Sequence, residues 1–113
     1  MKRVWIGTLA VLALLAFTRT ASAQDATKGA KVYVDQKCSM CHAIAGKGNA
    51  KGALDDIGSK LTAAEIREWI TEPVKMAAKA KADRKPPMLA KFASLPKADL
   101  DNLVAYLSTL KKK

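Results

Sequence analysis

Cys38-Ser39-Met40-Cys41-His42 is the stretch on which the reading of this chain turns. Two cysteines two residues apart, with histidine directly after, form the pattern that attaches a c-type haem. The spacing has a chemical reason. On a short helical turn, Cys38 and Cys41 lie on one side and add to the two vinyl groups of one porphyrin. His42 is then left beneath the ring, with an imidazole nitrogen in reach of the iron. Three other readings compete at this point. Zinc usually takes four ligands from Cys and His, and the chain has two Cys and one His in all. A thioredoxin-like pair belongs beside a βαβ pattern, and none is visible. A plain structural disulfide is the fourth reading.

Upstream, the N-terminus is built as a secretory signal. Lys2 and Arg3 supply the positive start, residues 4–17 are apolar but for Gly7 and Thr8, and Ala21-Ser22-Ala23 supplies a small-residue cleavage site. The apolar run is shorter than the about 20 residues that a bilayer core requires. Cleavage after Ala23 is expected, with an uncleaved anchor as the alternative; Arg19 sits unusually between run and site. Lys2-Arg3 is not a twin-arginine pair, so export would be of the unfolded chain, with haem attached in an oxidising compartment. The expected location is the periplasm.

The remaining residues 24–113 make one small domain, marginal for a core built from side chains alone. Tyr33, Trp69, Phe92 and Tyr106 are its only aromatics. A haem would enlarge that core. Losing Lys2, Arg3 and Arg19 takes the basic count from 20 to 17 against 10 acidic residues, a net of +7. Two ionised propionates would bring this to about +5. Nucleic acid is a poor partner for this charge: the lysines are dispersed, no nucleic-acid-binding motif appears, and export separates the protein from nucleic acid.

Downstream, the pattern is all-α. Asp25 is an N-cap candidate for a first helix running towards Cys38, with Gly29, Val32 and Tyr33 on one face. Glycine inside a helix costs about 1 kcal/mol relative to alanine, so Gly29 implies close approach of another helix. Residues 46–53 hold three glycines without periodicity and read as a loop whose spacing fits no phosphate-binding motif. Thr62-Ala63-Ala64-Glu65 is a capping box opening a helix with Ile66, Trp69 and Ile70 as its stripe. Pro73 ends or bends that helix, and residues 74–82 suit another short one. In the last helix Pro96 suits the first turn. Asp99 and Asp101 favour its start and Lys111, Lys112 and Lys113 its end. Leu100, Leu103, Val104, Leu107 and Leu110 form a continuous apolar stripe flanked by Tyr106.

His42 is the only histidine, which excludes bis-histidine ligation within one molecule. Methionine is the natural sixth ligand and raises the reduction potential. Met1 leaves with the signal, and Met40 lies in the attachment loop on the histidine's side. Met88 follows Pro86-Pro87, a stiff extended segment able to hold a thioether in place. Met76 lies in a helical stretch, where core packing is the competing role. Met88 is the expected ligand, with Met76 or an open or lysine-ligated iron as alternatives.

These features together resemble the class I cytochrome c family in its small bacterial single-haem form, over nearly all of residues 25–110. Cys38, Cys41 and His42 match the attachment motif, and Met88 matches the late methionine ligand. Gly29 and Tyr33 match the glycine and aromatic that pack on the last helix, where Leu103 and Tyr106 are their partners. The resemblance implies three to five helices around one covalently bound haem c, and a carrier of single electrons rather than an enzyme. It departs from the family twice. Where a proline carbonyl often bonds the histidine's second nitrogen, Ala53 stands as the expected equivalent. Leu89, not proline, follows the methionine.

By the same resemblance, Trp69 is a candidate to donate its indole N–H to a haem propionate, with core packing as the alternative. Lys37, Lys85 and Lys91 would ring the exposed porphyrin edge and steer redox partners with acidic docking faces to a monomeric carrier. The rival functions are a small peroxidase-like haem enzyme with an open sixth position, and a fixed haem subunit of a larger redox complex.

Overall fold

A computed structural model describes residues 25–84 and 86–111. The signal read at residues 1–23, together with Lys85, Lys112 and Lys113, lies outside the described residues. Five α-helices carry the fold: α1 Ala26–Asp35, α2 Ile57–Lys60, α3 Ala63–Thr71, α4 Pro73–Ala80 and α5 Lys97–Ser108. Three 3-10 turns, Cys38–Met40, Ala50–Gly52 and Ala90–Ser94, fill the connections. One element departs from the all-helical reading. Residues Ala43–Ile44 (β1) and Lys47–Gly48 (β2) form a small antiparallel hairpin.

The sequence explains where α1, α3 and α4 begin. The Asp25 side chain accepts the Lys28 backbone N–H at 3.1 Å and caps α1. The Thr62–Glu65 capping box closes in both directions, at 3.1 Å and 3.0 Å. Pro73 separates two helices. A residue before proline is disfavoured in the helical region, so Glu72 leaves it (φ −133°, ψ 58°), α3 ends, and Pro73 opens α4. Pro96 stands just outside α5, at its N-cap rather than in its first turn.

The core forms where α1 crosses α5. Gly29, Val32 and Tyr33 of α1 are buried against Leu100, Leu103, Val104 and Leu107 of α5, with Ile66 and Ile70 of α3 completing the cluster. Gly29 makes the crossing possible. A Cβ there would lie 2.6 Å from the Tyr106 Cβ and overlap the Asn102 backbone. The Asp25 backbone N–H donates to the Asn102 side chain at 2.9 Å. Tyr33 and Tyr106 meet edge to face with centroids 6.0 Å apart, a favourable arrangement for two rings.

Two charges differ from their expected roles. Asp101 is 8% exposed and bridges Arg67 of α3 (2.5 Å) and Lys97 of α5 (2.7 Å). It ties α3 to α5 rather than complementing a helix start, because its position in the second turn faces α3. Lys111 lies beyond the end of α5 at Ser108, so it does not sit in the last helical turn.

Candidate functional site

Between α1, α3 and α5 lies a largely apolar cavity of about 310 Å³. Its walls bring together Tyr33, Cys38, His42, Trp69 and Met88, with leucine and isoleucine side chains between them. Four of the five expected site residues thus converge on one space. The fifth, Cys41, is exposed and is not part of the wall. Met76 is buried in α4 and takes no part in this wall.

The attachment segment is shaped by its own backbone. Lys37 takes a left-handed conformation (φ 57°) and turns the chain out of α1. The Cys38 carbonyl then accepts from both Cys41 N–H (3.1 Å) and His42 N–H (2.9 Å). The two cysteines form no disulfide with each other. Burial pushes the Cys38 thiol up to about 11, which keeps it protonated. Neither zinc nor a thioredoxin-like pair finds support here. No group of three or more His, Cys, Asp or Glu converges among the described residues. The sheet there is the two-stranded hairpin alone.

His42 is set for metal ligation. Its Nδ1 lies 3.0 Å from the Gly52 carbonyl. A carbonyl only accepts, so the proton sits on Nδ1 and Nε2 keeps its lone pair. Hydrogen bonding of the second nitrogen orients a ligating imidazole. Burial lowers the His42 pKa, the Gly52 bond partly opposes this, and Arg84 lowers it further. The imidazole therefore stays neutral. The accepting carbonyl is that of Gly52, not the Ala53 carbonyl expected from the sequence. The 3-10 turn Ala50–Gly52 brings Gly52 under the ring, while Ala53 bridges to Ala43 instead.

Two further residues belong to the site that the sequence did not mark. Tyr33 is 7% exposed, and its hydroxyl has no hydrogen-bond partner among the described residues. Burial raises its pKa to about 12. A tyrosine on a buried helix face five residues before Cys38 was the available signal, since a buried hydroxyl needs a partner. Arg84 donates from its guanidinium to the Cys41 carbonyl and covers Gly52, where a Cβ would lie 2.9 Å from its Cζ.

This donor set fits a covalently held haem. A neutral imidazole, a thiol and a thioether share one apolar space, and a buried hydroxyl there lacks a protein partner. No curated protein and no solved structure matches the chain significantly. The family model for cytochrome c matches residues 26–111, a span that includes every wall of the cavity. The chain therefore belongs to the cytochrome c family, with the class I order of helices around a cavity that binds haem c.

Proposed function

We propose that this cytochrome c is an exported, soluble, monomeric carrier of single electrons, with one haem held by Cys38 and Cys41 and ligated by His42 and Met88. The observation that carries the proposal is the placement of His42 and Met88 on the walls of one apolar cavity, while Met76 packs elsewhere. When bound, the haem supplies one-electron exchange between ferrous and ferric iron. The chain's residues set the terms of that exchange. His42 offers Nε2 while Gly52 holds its other proton. A methionine thioether raises the reduction potential. The apolar lining excludes water. With His42 and Met88 as its ligands, the iron would offer small oxidants no open site, which favours the carrier over a peroxidase-like enzyme.

Trp69, on the cavity wall, is assigned to a propionate through its indole N–H. No helix among the described residues is long and apolar enough to cross a membrane. Export and the periplasmic location rest on the signal pattern of residues 1–23.

The test combines intact mass with absorption spectra of both oxidation states. The mass should equal residues 24–113 plus one haem that resists acidic organic extraction. Met88→Ala should abolish the sulfur-to-iron charge-transfer band and lower the potential, while Met76→Ala keeps the band. The reverse result overturns the assignment.

Docking is expected to use the lysines near the attachment motif and the methionine. Lys37 and Lys91 are exposed. Electron exchange with an acidic partner should slow as ionic strength rises. Charge reversal at Lys37, Lys85 or Lys91 should slow it more than reversal at Lys111, Lys112 or Lys113. Equal sensitivity at the two sets would remove this docking face.

A further inference from the structure

We propose that Arg84 is the positioning residue that clamps the methionine-bearing segment onto the histidine-bearing one. The inference rests on the reading of His42 and Met88 as the axial pair. Arg84 stands four residues before Met88, in the segment that leads into Pro86-Pro87. Its guanidinium donates to the carbonyl of Cys41, 43 residues away in sequence and directly before His42. The same guanidinium lies over Gly52, leaving no room there for even a methyl group. Gly52 in turn holds the Nδ1 proton of His42. One planar group therefore touches both backbone segments that flank the imidazole.

Arginine suits this place for a physical reason. Its fork is rigid, permanently charged and flat enough to lie against a glycine while one N–H bonds a carbonyl. Lysine would keep the charge and lose the plane. Two consequences follow. Without the clamp, the chain entering Met88 is no longer tied to the histidine's segment, so the thioether is displaced more readily by an added ligand. A fixed cation near His42 also opposes the extra positive charge of oxidised iron, so its removal lowers the potential.

The experiment uses the haem-loaded protein, with Arg84→Gln and Arg84→Lys beside the unmodified chain. Imidazole added to oxidised Arg84→Gln should bind about tenfold more tightly, the scale of one lost charged hydrogen bond. Its potential should fall. Arg84→Lys should recover the potential but only part of the resistance to imidazole. A merely structural role would lower the unfolding midpoint of both variants and give no such split. Arg84→Gln with unchanged affinity and potential, in a protein that shows the sulfur-to-iron band, overturns this inference and leaves the axial assignment standing. An unmodified protein without that band overturns both. Should neither variant mature, nitrogen NMR of the unmodified holoprotein decides. Slow rotation with resolved Arg84 Nη signals supports the clamp, and averaged signals refute it.

Discussion

Where α1 crosses α5, helix packs directly on helix. Val104 is 1% exposed, Gly29 lies against the Asn102 backbone, and the two tyrosine rings meet edge to face. The wall opposite is made differently. There the chain runs through the Cys38–Met40 turn, the stretch at Leu54 and the four-residue α2. Its apolar side chains face a cavity of about 310 Å³. The first region is closed by its own side chains, the Tyr33 hydroxyl excepted. The second is half of an interface whose other half is the cofactor. A small domain can so divide its core, because a large rigid ring replaces side chains that a short chain cannot supply.

The comparison breaks most visibly if the cofactor is withheld. Without it, the apolar lining of this cavity is left open to water. Cys38→Ser/Cys41→Ser protein made without haem should therefore show little helix by circular dichroism and no cooperative unfolding. A cooperative, helical haem-free chain would mean that the α1–α5 crossing suffices alone.

A smaller effect is expected from the crossing itself. Gly29→Ala gains about 1 kcal/mol in helix propensity, yet its methyl group must displace the Asn102 backbone. Overpacking of this kind costs about 1–3 kcal/mol. The denaturant midpoint of the holoprotein should fall while its haem spectrum stays unchanged. A spectral change would show that the two regions are mechanically coupled.

The smallest effect concerns Asp101. Hydrogen bonds from Lys97 and then Arg67 hold its carboxyl below the ordinary 3.8. A depressed carboxylate contributes stability above its unfolded value, and that contribution fades as pH falls through the folded one. Asp101→Asn should therefore unfold more easily than the unmodified protein at neutral pH. The difference should shrink from about pH 4 downward. A gap independent of pH would assign Asp101 a packing role only.

The two regions also differed in how legible they were. The crossing could be read from periodicity and caps: Asp25, Gly29 and Leu100, Leu103, Val104 and Leu107 of α5 fall where expected, as does the Thr62–Glu65 box of α3, while Leu110 lies past the helix end at Ser108. The cavity wall could not. The hairpin that follows His42 turns on Ala45 (φ 53°) and Gly46 (φ 78°), and alanine is an uncommon occupant of that left-handed region. The four residues of α2 are too few to show a period. The family resemblance pointed to the Ala53 carbonyl as the partner of His42, one residue past Gly52, whose carbonyl bonds its Nδ1. Arg84 and Asp101 act through partners 43 and 34 residues distant, and no local pattern encodes such pairs. His42, Cys38 and Met88, named from residue type alone, all line the cavity.

The contact from Asp25 to Asn102 spans 77 residues. Helical proteins usually assemble through neighbours in sequence and fold quickly for that reason. Here the best-packed junction closes a long loop, at an entropic cost of about 4 kcal/mol from the length-dependent part alone. During synthesis, α1 must therefore wait with its apolar face uncovered until α5 emerges.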